Sequence, residues 1–174
     1  MITIVVGTNR KNSNSRIVAE IYQGILAAKG AKSHILDLVD LPADFTATAL
    51  YENAGKNESF NKYVDMMSAC QKFVFIVAEY NGSFPGVLKS FIDGLKFPDS
   101  FLDKKCALVG LSAGVQGAGL AVSHLTDIFN YCGMHVLALK PKLARIGANM
   151  IDNKITDKLY QELLETQAQQ LIDF

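Results

Sequence analysis

The segment GTNRKNSNSR, residues 7–16, concentrates side chains that bind anions. A helix is predicted to begin near Ser13, and its unpaired N–H groups and positive dipole end would favour a bound anion. The segment therefore predicts a phosphate-binding loop. The alternative is that Ser13 only caps the helix and that Arg10 is a solvated surface charge. The hydroxyl, amide and guanidinium groups concerned belong to Thr8, Arg10, Ser13, Asn14 and Ser15.

A second polar turn, within AEYNGSFPGVLKSFID at residues 78–93, directly follows the apolar run FVFIV. Gly82 would allow backbone amides to approach a planar ligand closely, because glycine has no Cβ. Taken singly, these residues could equally be structural turn residues, and Pro85 is common at a helix start. The turn consists of Glu79, Tyr80, Asn81, Gly82 and Ser83.

A third loop, LSAGVQGAGL at residues 111–120, is rich in small residues that leave space beside something flat. Gln116 is its one large polar side chain. The candidate binding residues in this loop are Ser112, Gly114, Gln116 and Gly117.

The elements that must position these loops alternate between short apolar runs and segments of helical period. The predicted strands are 2–6, 33–38, 73–78, 106–112 and 135–139. The predicted helices run from about Ser13 to Ala28 and over 60–70, 85–93 and 118–133, with a last helix in the tail from about Asp152 that includes Ile155. Residues 39–59 show no clear periodicity, and we expect a long loop near the mouth of the site. Phe45 or Tyr51 would cover the site or shape the acceptor pocket, or the segment is a plain surface excursion.

Strands separated by helices indicate a parallel α/β sheet with helices on both faces. Ligands of such sheets bind beyond the carboxyl ends of the strands, where the winding direction reverses. The loops after strands one, three and four should therefore border one crevice.

Composition excludes several classes of protein. The 174 residues carry 17 basic and 17 acidic side chains without a charged block, so nothing indicates nucleic-acid or membrane-surface binding. The N-terminus shows no signal-peptide pattern, and we expect a cytoplasmic protein without membrane spans. The three cysteines and three histidines are scattered singly, so no disulfide framework, catalytic constellation or metal site is predicted.

The three loops resemble, in this order, those of the NAD(P)H-dependent FMN reductase family, which includes quinone, azo-dye and chromate reductases. Residues 7–13, GTNRKNS, resemble the family's G-S-x-R-x-x-S phosphate loop. Residues 78–89, AEYNGSFPGVLK, resemble P-E-Y-N-x-S-x-P-G-x-L-K, with Ala78 in place of proline. Gly94 also departs from the family pattern, in which an aromatic residue often follows the aspartate at the end of this helix. Similarity extends from about Ile2 to Leu139.

The resemblance implies a flavodoxin-like three-layer fold with strand order 2-1-3-4-5, formed as a single domain over residues 1–174. It also implies FMN as cofactor, bound by the residues named above in the three loops, and NADPH or NADH as co-substrate. A ping-pong reaction through flavin N5 would deliver hydride to a quinone, free flavin, azo compound or chromate, with no catalytic side chain required. The alternative is a non-enzymatic flavodoxin-like carrier or flavin-binding regulator. The family is usually dimeric, so we expect a homodimer or homotetramer, and the candidate contact surfaces flank Pro85–Ile92 and Ala121–Phe129.

Overall fold

A parallel β-sheet forms the centre of the computed structural model, which describes residues 1–174. The strands lie in the order β2-β1-β3-β4-β5, which confirms the predicted topology. All residues of β1 are buried, as expected of a strand covered on both faces. The strands are β1 (Ile2–Val6), β2 (Ser33–Asp37), β3 (Lys72–Ala78), β4 (Lys105–Leu111) and β5 (His135–Val136).

Helices cover both faces of the sheet and complete the three-layer fold. One face packs α1 and α6 against side chains such as Ile4 and Val74. The other face packs α3, α4 and α5 against side chains such as Val5 and Phe75. None of the helices combines the length and the apolar character needed to cross a bilayer. The helices are α1 (Asn14–Ala28), α2 (Phe45–Thr48), α3 (Glu58–Ala69), α4 (Gly86–Asp93), α5 (Gly119–Tyr131) and α6 (Lys158–Asp173).

The fifth strand differs from its prediction, because only two residues of 135–139 pair as β5. The chain then leaves the sheet and returns as β6 (Lys142–Leu143), which pairs with Gly110 and Leu111 of β4. Gln167 of α6 fills the interruption, donating to the carbonyl oxygens of Leu108 at 2.9 Å and Leu139 at 2.7 Å. The side-chain amide of Gln167 therefore pairs the two carbonyl groups that the interrupted strand would otherwise leave without a donor.

The tail also differs from its prediction, because the helix begins at Lys158 and not near Asp152. Residues 150–155 form an antiparallel hairpin of β7 (Met150–Ile151) and β8 (Lys154–Ile155). Its turn residues, Asp152 and Asn153, have φ angles of 47° and 59°. Aspartate and asparagine tolerate this left-handed conformation better than most residues, which favours a tight hairpin turn over continued helix.

Residues 39–59 are more ordered than predicted and contribute to the core. The ring of Phe45 is 5% exposed and stacks on Phe60 with centroids 5.3 Å apart. Phe45 therefore cannot cover the crevice, and that part of the prediction is wrong. Tyr51 is 76% exposed and does not line the crevice described below.

Candidate functional site

The three predicted loops meet at the carboxyl ends of β1, β3 and β4 and enclose a crevice of about 210 Å³. The first loop contributes Arg10 and residues 12–15, the second contributes 78–80, and the third contributes 111–113. Ile146 from the segment after β6 completes the wall. The position agrees with the expectation that ligands bind where the winding of the sheet reverses.

The first loop presents a set of unpaired backbone donors to the crevice. Ser13 caps α1, and its hydroxyl oxygen accepts from the N–H of Arg16 at 3.2 Å. The N–H groups of Asn12, Ser13, Asn14 and Ser15 have no acceptor within the protein. Unpaired amides at the start of a fifteen-residue helix suit an anion, so this loop fits a phosphate group.

The charges around the first loop leave one cation free at the crevice. Arg16 pairs with Glu20 at 2.8 Å and with Asp37 at 3.4 Å. The hydrogen bond to Glu20 is the main cause that raises the pKa of the Arg16 guanidinium. Arg10 forms no ion pair, is exposed and lines the crevice. Arg10 is therefore the guanidinium group available to an anionic ligand.

Thr8 lies beneath the first loop and does not line the crevice. Its side chain is fully buried, and its hydroxyl oxygen accepts from the N–H of Arg10 at 3.2 Å. The same hydroxyl is 3.1 Å from that of Tyr80, and either group can donate. Thr8 thus ties the first loop to the second.

The second loop is a tight turn with two reciprocal backbone hydrogen bonds. Tyr80 donates to the carbonyl of Ser83 at 2.8 Å, and Ser83 donates back at 3.1 Å. Asn81 and Gly82 have φ angles of 52° and 77°, the left-handed conformation that an Asn-Gly turn favours. Only residues 78–80 line the crevice, so Asn81, Gly82 and Ser83 lie outside the enclosed volume.

Ser83 makes a contact that the sequence did not indicate. Its hydroxyl oxygen is 2.9 Å from Nδ1 of His124 on α5. Nothing in the local sequence of His124 connects it with a loop forty-one residues earlier.

Glu79 carries an unpaired polar atom at the crevice wall. Its Oε2 is buried and has no hydrogen-bond partner. A buried acceptor without a partner costs about 1–3 kcal/mol, more if charged, which a ligand N–H could offset. The backbone N–H of Glu79 donates to Leu111 at 3.1 Å and so joins the second loop to the end of β4.

The third loop divides into a crevice wall and an outer turn. The hydroxyl of Ser112 donates to the carbonyl of Gly114 and accepts from Gly117, both at 3.0 Å. Gly114 and Gln116 are exposed and do not line the crevice. Gly117 has φ 58°, and a Cβ there would lie 2.8 Å from the backbone of Lys142. Its small size therefore allows the turn to pack against β6.

The remaining chemically active side chains have separate partners. His34 contacts Thr3, His135 lies 3.8 Å from Asp103, and no three His, Cys, Asp or Glu side chains are grouped as metal ligands. Cys106 is buried, and burial raises the pKa of its thiol to about 12. Lys89 and Asp93, four residues apart on α4, form an ion pair on the helix surface at 2.7 Å.

Sequence comparison matches residues 1–144 to the family described as NADPH-dependent FMN reductase. An NAD(P)H-dependent FMN reductase of Pseudomonas aeruginosa is 28% identical over 137 residues, which cover 74% of each chain. A 2-hydroxy-1,4-benzoquinone reductase of a Burkholderia species is 27% identical, covering 96% of this chain and 93% of the relative. A quinone reductase of Escherichia coli K12 is 26% identical, covering 99% and 92%.

Solved structures agree with these matches. The flavoenzyme NAD(P)H:(acceptor) oxidoreductase FerB of Paracoccus denitrificans superposes with a TM-score of 0.78 at 25% identity, covering 99% of this chain and 94% of that one. A Streptococcus pneumoniae flavodoxin superposes with a TM-score of 0.64 at 14% identity, covering 99% and 97%. The second likeness concerns the fold alone.

Proposed function

The chain belongs to the NADPH-dependent FMN reductase family, and from this premise we propose that it reduces a small quinone in a ping-pong reaction at the crevice. The family and the named relatives make it an NAD(P)H-dependent oxidoreductase with FMN as cofactor. The single observation that carries the proposal is the crevice itself, which combines unpaired amides, the free Arg10 and the unpaired Glu79.

The first loop would hold the FMN phosphate. The free amides of residues 12–15 would donate to its oxygens, and Arg10 would add charge-assisted hydrogen bonds. The hydroxyls of Ser13 and Ser15 lie on the same wall. Thr8 would act from below, because its hydroxyl already engages Tyr80 and the Arg10 amide.

The second and third loops would hold the flavin ring. Glu79 offers an acceptor to a ring N–H, and Tyr80 with Ser112 borders the same space. The outer residues of the two loops, which do not line the crevice, would contact the exposed part of the cofactor or a co-substrate. They are Asn81, Gly82, Ser83, Gly114, Gln116 and Gly117.

When bound, FMN would supply the chemistry of hydride transfer between NAD(P)H and the acceptor. The chain would bind and orient the cofactor and both substrates in turn over the same space. A quinone acceptor is supported by the names of two of the relatives described above. Free flavins, azo compounds and chromate remain acceptors to be tested, and a cytoplasmic location remains a prediction.

The alternative is an electron carrier or flavin-binding regulator of the flavodoxin type. Such carriers commonly have a strongly acidic face, whereas this chain has no net charge. Steady-state NADPH oxidation with a quinone separates the two functions. The proposal predicts sustained turnover by the FMN-loaded protein alone, and turnover only after addition of a separate reductase would contradict it.

A homodimer or homotetramer is part of the proposal. The proposed contact surfaces flank Pro85–Ile92 and Ala121–Phe129. Near the ends of the second segment, Leu120 is 56% exposed and Tyr131 is 88% exposed. Burial of these side chains against a second copy would remove apolar area from water. Sedimentation velocity should show an assembly larger than 19.0 kDa, and a monomer at micromolar concentration would contradict this part.

A further inference from the structure

Residues 143–146 act as a backbone support for the third loop. Ser112 donates its N–H to Leu143 at 3.1 Å, and its carbonyl accepts from Ile146 at 3.0 Å. The carbonyl of Gly114 accepts from Arg145 at 2.9 Å. The third loop thus takes its shape from this short segment, which itself supplies Ile146 to the crevice wall.

Tyr160 of α6 holds the middle of this segment. Its hydroxyl oxygen accepts from the N–H of Ala144 at 3.1 Å and donates to the carbonyl of the same residue at 3.4 Å. The side-chain amide of Asn149 donates to that carbonyl at 3.0 Å. Ala144 is therefore fixed at both its backbone groups by side chains that follow it in the sequence.

The segment needs such support because its backbone is strained. Arg145 has a φ angle of 47°, in the left-handed region that costs a non-glycine residue on the order of 1 kcal/mol or more. Its carbonyl accepts from Ala148 at 2.8 Å and from Asn149 at 3.2 Å. These contacts, together with the Tyr160 hydroxyl, hold Arg145 in its left-handed conformation.

The helix that carries Tyr160 is itself anchored to the sheet. Gln167, one of its fully buried residues, accepts from the hydroxyl of Tyr22 at 3.1 Å and bridges the interruption after β5. Leu164, Ala168 and Leu171 are also fully buried. Both Tyr160 and this helix lie after residue 144, outside the part of the chain that matches the family.

We propose that Tyr160 is a positioning residue for FMN, acting through residues 143–146 on the wall formed by Ser112, Ala113 and Ile146. The proposal rests on the proposed binding of FMN in the crevice. The residues after 144, which lie outside the family match, then contribute to the cofactor site through the hydroxyl group of Tyr160.

The test is titration of FMN and of riboflavin into apo wild type and Tyr160→Phe, followed by flavin fluorescence. One hydrogen bond contributes about 0.5–1.5 kcal/mol, so both flavins should bind about 2–13-fold more weakly. The loss should be equal for the two flavins, because the wall affects the ring and not the phosphate. The N–H of Ala144 also lies 3.1 Å from the Lys142 carbonyl, which keeps the loss within this range.

Tyr63→Phe is the matched control. The hydroxyl of Tyr63 also donates to a backbone carbonyl, that of Asp40 at 2.7 Å, but Tyr63 belongs to the core on the other face of the sheet. Its removal should lower the melting temperature and leave flavin affinity unchanged. Hydrogen exchange at the amides of Arg145 and Ile146 should accelerate in Tyr160→Phe and stay unchanged in Tyr63→Phe.

Unchanged flavin affinity in Tyr160→Phe, or an equal loss in Tyr63→Phe, would overturn the positioning role. If Tyr160→Phe fails to fold, Asn149→Ala takes its place, since it removes the other side-chain contact to Ala144; it should also weaken both flavins, and no loss would overturn the proposal. A wild type that binds neither flavin would instead refute the proposed function.

Discussion

Arg10→Ala is the perturbation that separates a phosphate-binding guanidinium from a solvated surface charge. The side chain forms no ion pair, so its removal breaks no internal contact with another charge. Folding stability should therefore change by no more than about 0.5 kcal/mol. Arg10 differs in this respect from Arg16, which forms ion pairs with Glu20 and Asp37.

The expected effect on binding follows from the type of contact. A charge-assisted hydrogen bond to a phosphate contributes about 1.5–3 kcal/mol, which corresponds to roughly 10–150-fold in FMN affinity. Riboflavin lacks the phosphate, so its weaker binding should change far less. Added salt should also reduce the advantage of FMN over riboflavin in the wild type, because part of the attraction is electrostatic.

The assay is fluorescence titration of both flavins into the apo forms of wild type, Arg10→Ala and Lys11→Ala, with thermal melts as a folding control. Lys11→Ala removes the same formal charge from the neighbouring position, but Lys11 does not line the crevice. Its effect should be small. Equal losses for FMN and riboflavin in Arg10→Ala, or no loss for either, would refute the reasoning and place the phosphate elsewhere.

Three further predictions address the ring, the reaction order and the pH dependence of stability. Glu79→Ala should weaken FMN and riboflavin equally, by about 10-fold or more if its carboxylate accepts from the ring; a loss confined to FMN in the same titration would contradict this role. Double-reciprocal plots of rate against NADPH at several quinone concentrations should give parallel lines, whereas intersecting lines would mean that both substrates bind together. Burial, with a smaller effect of the N-terminal charge, lowers the pKa of His34 below its usual 6.5. The unfolded chain then binds the proton more tightly, so stability should fall as the pH drops below about 6.5. Denaturant unfolding between pH 7 and 5 should show a smaller decline for His34→Gln, and equal declines would refute this origin.

Much of the fold could be predicted because its signals are local. Continuous apolar runs predicted β1 and β3, and the alternation with helical segments predicted a parallel sheet. The observed strand order was implied by the family resemblance. The same alternation placed the three polar loops at one end of the sheet.

The rest depended on contacts between distant residues. The apolar run 135–139 reads as a strand, and nothing local reveals that Gln167 satisfies the carbonyl groups left by its interruption. The sequence around Phe45 does not indicate that its ring is buried, because the burial comes from stacking on Phe60. Ile146 and Tyr160 carry no motif, so their connection with the third loop follows only from the hydrogen bonds around Ala144.

Binding of FMN in the crevice is tested by the absorption spectrum of the purified protein combined with flavin titration. The purified protein should be yellow, or should become yellow on addition of FMN and quench the fluorescence of the flavin. The flavin released on denaturation should be FMN and not FAD, because the first loop is suited to a terminal phosphate. A colourless protein that fails to quench FMN fluorescence at micromolar concentration would show that the crevice does not bind FMN.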